Sequence, residues 1–217
     1  ATDEFFTWGS LNTSLKPQQS RSYEIGMRHR INNKHRFELS LYRMNIKNEL
    51  FYNPSGGPFG FGANENYDKT MHQGIEFSLD SKCNEDISVF GNFTLTDAVF
   101  KGGVYNNKFV PMVAKYKGNM GLKFNIWKDF KVNLVGNYVD KRFSINDQEN
   151  IRSRLNGYFT CDANIRYELN NLMVQLGINN IFNKLYSEYG VFSTISNEIG
   201  YYPSPGRNFL LKFEYNF

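Results

Sequence analysis

The feature that most constrains this chain is a period-two alternation of apolar and polar residues, which returns along its length and ends on its last residue. In the final stretch Phe209, Leu211, Phe213, Tyr215 and Phe217 share one face. Asn208, Lys212, Glu214 and Asn216 share the other, with Leu210 the one apolar residue out of phase. Successive side chains of a strand point to opposite faces, so this pattern reads as a strand with one apolar and one polar face. The same alternation runs through Leu172, Val174, Leu176 and Ile178, and through Phe159, Cys161, Ala163, Ile165 and Tyr167. It returns in Phe130, Val132, Leu134 and Tyr138, in Met120, Leu122, Phe124 and Ile126, and in Ile87, Val89, Phe93 and Leu95. Ile75, Phe77 and Leu79 continue it, as do Tyr23, Ile25, Met27 and Ile31. No segment of useful length has a 3.6-residue period.

Nine strands result, over roughly 21–31, 35–48, 70–81, 85–97, 113–126, 129–142, 156–168, 171–183 and 207–217. One is irregular: Phe37, Leu39 and Leu41 hold one phase and Tyr42, Met44 and Ile46 the other. A bulge near Leu41, or a strand end that leaves the apolar layer, accounts for the switch. The connections alternate in length. Tight turns at 32–34, 82–84, around Lys128 and at Asn170 alternate with long segments at 49–69, 98–112, 143–155 and 184–206.

No run of about 18 apolar residues exists, so a membrane helix is excluded, but strands that show lipid every second residue are not. Strands of about ten residues, long loops at one end and tight turns at the other make an all-β, antiparallel transmembrane barrel the expected fold. A soluble sandwich also alternates, but its loops need not. The long loops are expected outside the cell, with Phe217 at the periplasmic end and residues 1–20 as an extracellular loop preceding strands and loops at 21–217. Aromatic residues make up 17% of the chain. Tyr23, Tyr138, Tyr158, Tyr167, Tyr215 and Phe217 lie near strand ends, where interfacial girdles form.

Five segments, in order, resemble the TonB-dependent outer-membrane receptors. They are Leu15-Lys16-Pro17-Gln18 leading into Tyr23-Glu24-Ile25-Gly26, then Gln73-Gly74-Ile75-Glu76, then Val110-Pro111. Asn180-Ile181-Phe182-Asn183-Lys184 with Tyr186 follows, and last Pro203-Ser204-Pro205-Gly206-Arg207 before the terminal strand. Gln18 stands where the family more often has an acidic residue. The resemblance implies a 22-stranded barrel, of which this chain is the C-terminal part, its last nine strands. The plug, and the segment through which TonB acts, are expected to be absent from it. No signal peptide is expected at Ala1–Ser10. The implied function is energy-coupled import of a ferric siderophore or related iron complex across the bacterial outer membrane. A passive porin-like or structural barrel is the alternative, and a barrel lipase or protease a third reading.

The chemistry of the sequence fits a receptor better than an enzyme. His29, His35 and His72 are dispersed, no nucleophile motif is present, and Cys83 and Cys161 lack metal-site spacing, so no catalytic residue, metal site or cofactor is expected. A net charge of +4 is too diffuse for a nucleic-acid partner. Arg28, Arg30, Lys115, Lys117, Lys123 and Lys131 fall on lumen-facing positions. There they would favour anionic substrates, or pair with plug carboxylates, or simply hydrate. In the 49–69 loop Tyr52, Phe59, Phe61 and Tyr67 are candidates for stacking on a ligand, or for packing among loops. Arg142, Arg152 and Arg154 are candidates for an anionic ligand or for lipopolysaccharide phosphates. Outer-membrane lipid is the expected surrounding, and Phe217 resembles the signal read by barrel assembly machinery.

Overall fold

The computed structural model describes residues 6–7, 10–11, 13–54, 56–57, 62–193 and 196–217. The described elements are all strands: β1 (Phe6–Thr7), β2 (Ser10–Leu11), β3 (Gln19–Ile31), β4 (His35–Asn53), β5 (Ala63–Lys82), β6 (Ile87–Phe100), β7 (Tyr116–Trp127), β8 (Phe130–Val139), β9 (Tyr158–Leu169), β10 (Leu172–Asn179), β11 (Ser187–Ser193), β12 (Glu198–Pro203) and β13 (Asn208–Tyr215). Nine of them form one antiparallel sheet in the order β13-β10-β9-β8-β7-β6-β5-β4-β3. Strands adjacent in the chain are adjacent in the sheet, except that β10 skips the β11–β12 hairpin to pair with β13.

Two of the tight turns follow from asparagine. Asn32 and Asn33 both take the left-handed backbone (φ 50 and 53), and Lys34 N–H bonds the Ile31 carbonyl at 3.1 Å. A two-residue turn with both central residues at positive φ matches the right-handed twist of the flanking strands. Asn170 (φ 50) serves the β9–β10 turn in the same conformation.

The two faces of the sheet differ as the alternation requires. On one, Ile25 is 72% and Phe213 65% exposed, in an apolar layer that no protein element covers among the described residues. An apolar layer of this extent belongs against lipid rather than water. It is bounded on β4–β6 by the polar row Arg43, Gln73 and Asp97, opposite one another in register. The other face carries ion pairs strung across the strands: Arg28 and Arg36 both on Glu38, Lys131 and Arg166 on Glu168, and Lys212 on Glu214.

Several expectations need correction. The β4 register with both neighbours runs unbroken through Leu41, so no bulge lies there. Tyr42 instead points with Ser40 across the polar face, where its hydroxyl meets Thr96 Oγ1 at 3.0 Å. The irregular residue is Asn48 (φ 55), between the pairs Lys47–Lys69 and Glu49–Tyr67, and a register shift also falls at Asn125/Trp127. The 49–69 segment is largely strand, because β4 reaches Asn53 and β5 starts at Ala63. The 184–206 segment holds the β11–β12 hairpin, and Gln19 and Ser20 belong to β3 rather than to a loop. Tyr158 is no girdle residue: its ring lies tilted against that of Tyr186, 4.3 Å between centres, and its hydroxyl donates to Glu188 at 3.3 Å, on the polar side of β9.

Candidate functional site: the long-loop rim

The long connections do not hang free. Their side chains bond one another's backbones and build a layer over one end of the sheet. Its pivot is Asp147, which is fully buried. The Asp147 carboxylate accepts the backbone N–H groups of Ile151 and Arg152, each at 3.1 Å, and Arg152 Nη1 stands 3.8 Å from its Oδ1. Two asparagines of the same loop reach in different directions. Asn146 donates to the Phe192 carbonyl at 2.8 Å and accepts the Phe192 N–H at 2.9 Å. Asn150 donates to the Phe109 carbonyl at 3.0 Å and accepts the Phe109 N–H at 2.6 Å. A side-chain amide has the same donor and acceptor as a peptide group, so each bridge stands in for one residue of a partner strand. Asn66 does the same with the backbone of Lys16, at 3.0 and 2.8 Å.

Arg142 belongs to this framework. It is 5% exposed, its Nη2 donates to the carbonyls of Glu188 and Ser187, and its guanidinium lies 5.8 Å from the Tyr158 ring. Its backbone exchanges two hydrogen bonds with Leu155, closing the base of the loop. Tyr67 is likewise interior. Phe51 stacks on it at 3.6 Å, Phe100 meets it edge-on at 4.6 Å, and Gln148 donates to its hydroxyl at 3.3 Å. Burial, ahead of the charges of Glu49 and Glu65, pushes that hydroxyl far above its ordinary pKa. Glu49, on β4 beyond the polar row that bounds the apolar layer, is also partly buried. Burial pushes its carboxyl up, but hydrogen bonds from His72 and Thr70, with the His72 charge, outweigh that and leave it below the usual range.

What the rim leaves accessible is a cleft of about 870 Å³ between the Asp147 loop and the β11–β12 hairpin. Arg152, Phe192, Glu198, Ile199 and Tyr201 line it. The Arg152 guanidinium sits over Phe192, its Cζ 3.8 Å from the ring centre, and Nη1 donates to the Asn146 carbonyl at 3.2 Å. Arg154 is held over Phe143 at 4.4 Å and Phe109 at 6.0 Å. Tyr201, Tyr202 and Tyr52 are about half exposed. Tyr189 meets Tyr202 edge-on at 5.2 Å, and its hydroxyl pKa is raised by burial first and then by Tyr202 and Tyr52. The rim therefore presents a guanidinium and several phenols beside one another. Phe59 and Phe61 lie outside the described residues.

The lumen-face cations are only partly neutralised. Arg28 is 2.7 Å from Glu38, and Lys131 is 3.1 Å from Glu168. Lys123 lies 4.8 Å over the Phe90 ring and Lys115 5.5 Å over that of Tyr116. Lys117 lines a polar hollow with Asp162, Tyr158 and Glu188. Arg30 stands opposite Arg36 in register, with no ion pair among the described residues. The structure thus brings Arg142 and Arg152 to one loop, buries Tyr67, leaves Tyr52 half open, and spreads the lumen cations along the sheet.

Asp147, Asn146, Asn150, Phe192 and Tyr201 were not among the sequence candidates. The only local sign of the first three is a run of turn-forming side chains at 144–150. Asp147→Ala removes the acceptor of two part-buried backbone N–H groups and the carboxylate beside the Arg152 guanidinium, which keeps its bond to the Asn146 carbonyl at 3.2 Å, a local cost of about 2 kcal/mol. The expected result is an intact barrel that a protease now nicks within 143–155. Asp147→Asn, which keeps one acceptor, is expected to be nicked more slowly. Equal resistance of Asp147→Ala and the parent would remove Asp147 from this role.

The sequence matches the family model described as TonB dependent receptor-like, beta-barrel, over residues 2–181. Among the solved structures that are similar are the following three. The siderophore receptor PiuA from Acinetobacter baumannii is 20% identical, with a TM-score of 0.71 over 90% of this chain and 28% of its own. The ferric-catecholate import receptor Fiu from E. coli K12 is 23% identical, with a TM-score of 0.73 over 100% of this chain and 30% of its own. The ferric yersiniabactin uptake receptor FyuA from Yersinia pestis is 17% identical, with a TM-score of 0.77 over 92% of this chain and 30% of its own. At these identities the likeness shows a shared fold, and this chain spans about three-tenths of the length of those proteins.

Proposed function

This chain belongs to the TonB-dependent receptor β-barrel family, whose members are receptors and transporters of the bacterial outer membrane, and on that premise we propose that it is the C-terminal part of a receptor that imports a ferric siderophore or a related iron complex. Residues 1–217 would then be one portion of a 22-stranded barrel, with 1–18 outside the cell. The plug and the segment pulled by TonB would lie in other parts of the same protein. The edges of β3 and β13, which pair with no strand among the described residues, would be closed by the remaining strands, since unpaired backbone in lipid is costly. No step of this function calls for catalysis by the chain.

The observation that carries the reading is the stiff rim. A passive pore does not require a loop layer held by a buried carboxylate and asparagine bridges, whereas selective capture benefits from contacts that are pre-organised. Arg152 and Tyr201 are the residues assigned to ligand contact. Tyr52 stands within electrostatic reach of Tyr189, on the hairpin that carries Tyr201, and Arg142 acts by holding the loop. Arg28, Arg30, Lys115, Lys117 and Lys123 are assigned to the anionic path through the lumen.

The test is growth of a deletion strain on single ferric siderophores under iron limitation, with the whole receptor supplied in trans. Growth on one complex should depend on both the receptor and TonB. Arg152→Ala and Tyr201→Ala should each weaken ligand binding about tenfold, the effect of removing one contact of about 1.4 kcal/mol. Growth that is independent of TonB on every complex would favour the passive barrel.

A further inference from the structure

The lipid-facing side of the sheet is complete in this chain whatever closes the barrel, and it is not smooth. Two neighbouring rows of residues cross the strands in register. One runs Phe77, Phe93, Gly118, Tyr138, Phe159 and the next Leu79, Gly91, Met120, Gly136, Cys161. Where three positions lack a side chain the backbone forms a floor, and the flanking rings stand up as walls. The result is a cleft of about 340 Å³ whose lining is almost entirely carbon. The walls are shaped by contact: the Phe159 ring lies across Gly136, where an added Cβ would come within 2.9 Å of it.

The rows follow the hydrogen-bond direction and the strands of such barrels tilt by roughly 35–45°, so the cleft crosses the bilayer obliquely. On β5 it starts below the polar row of Arg43, Gln73 and Asp97. On β8 and β9 it reaches Tyr138 and Phe159, at the long-loop ends of their strands. It is therefore continuous with the extracellular half of the lipid layer.

We propose that this cleft is a binding site for one acyl chain of an extracellular-leaflet lipopolysaccharide, an inference that rests on the membrane placement given above. The lining has nothing to offer a headgroup. Its lining comes from two adjacent rows of the sheet, a slot rather than the broad patch of about 800 Å² per partner that a stable protein contact buries. A flexible methylene chain fills such a slot and gains free energy with each group removed from the looser packing of bulk lipid. Met120, 60% exposed between two of the glycines, is the side chain that an occupant would press aside.

The test uses the whole receptor reconstituted into vesicles containing lipopolysaccharide that carries a photoreactive diazirine on an acyl chain. A second arm uses phosphatidylethanolamine labelled in the same way. Labelled peptides are compared with a control row of full-sized side chains on the same face, Phe124, Val132, Ile165, Leu176 and Leu211. The cleft residues are expected to be labelled about fivefold more than the control row in the lipopolysaccharide arm. Met120→Trp, which fills the slot, should bring them down to the control level, and Gly136→Ala, which pushes Phe159 across it, should do the same by another route. Equal labelling of the two rows, labelling unchanged by both variants, preference for the phosphatidylethanolamine probe, or cross-linking of two copies through Met120 would each overturn the proposal. Absence of label from both rows would instead overturn the membrane placement itself.

Discussion

Gly74→Ala is expected to cost the sheet about 3 kcal/mol or more, the upper range for overpacking a site that does not yield. A Cβ at Gly74 would press on the Leu95 carbonyl oxygen closer than any real contact, and would meet the Tyr42 ring and hydroxyl at 2.9 Å. The tyrosine can swing away, but the carbonyl belongs to the β5–β6 ladder and is fixed. The effect is read as loss of the folded, heat-modifiable band after refolding into detergent micelles, and as a lowered urea midpoint. Tyr42→Phe, which removes only the 3.0 Å bond to Thr96, should cost about 1 kcal/mol. Combining Gly74→Ala with Tyr42→Ala should restore little, because the carbonyl remains. Full recovery in that double variant would show that the ring alone dictates glycine.

The second large effect is expected from Asn180→Ala. Asn180 is 4% exposed and left-handed (φ 51). Its backbone N–H donates to Asp162 Oδ1 at 2.7 Å. Its side chain accepts the Lys184 N–H at 2.9 Å and donates to the carbonyls of Lys184 at 2.9 Å and Pro205 at 3.3 Å. Nearby, Asn183 Oδ1 accepts the Arg207 N–H at 2.9 Å, and Arg207 Nη1 donates to the Ile181 carbonyl at 3.4 Å. These bonds clasp the end of β10 to the start of β13 across the β11–β12 hairpin. Truncating Asn180 leaves one donor and two acceptors unsatisfied and forces alanine into a left-handed backbone, about 3 kcal/mol together. Asn180→Gly keeps the backbone free and should recover about 1 kcal/mol of that. Equal midpoints for the two variants would exclude a contribution from the left-handed conformation. The Arg207→Ala variant, which loses one long bond at an exposed residue, should change stability little.

The clasp explains why two of the five family-like segments matter. Asn180–Lys184 and Pro203–Arg207 are far apart in the chain, yet they are two halves of one hydrogen-bonded unit. Likewise the Gln73-Gly74-Ile75-Glu76 segment needs its glycine because the Leu95 carbonyl of the next strand closes on it, while Tyr42 crosses there to Thr96. Val110, of the Val-Pro segment, is buried against Tyr67, Ala98 and Phe100. These residues are structural. Their roles were invisible while each segment stood alone, because each depends on a partner from another strand.

The period-two pattern by itself determined the nine strands, their order of pairing between short turns, and which face meets lipid. It could do so because side-chain direction in a strand is a local property of the backbone, and because a one-residue slip would turn every apolar residue to the wrong side. Asn32 and Asn33 were legible for the same reason, since a left-handed turn needs only its own two residues. The rim was not legible. Asn146 with Phe192, Asn150 with Phe109 and Asn66 with Lys16 join residues more than 40 positions apart, and no periodicity announces such a bond. Only the tertiary structure decided that Arg142 and Tyr67 are interior while Arg152 and Tyr201 face a cleft, because burial in a loop layer is set by the neighbouring loops and not by the loop's own sequence.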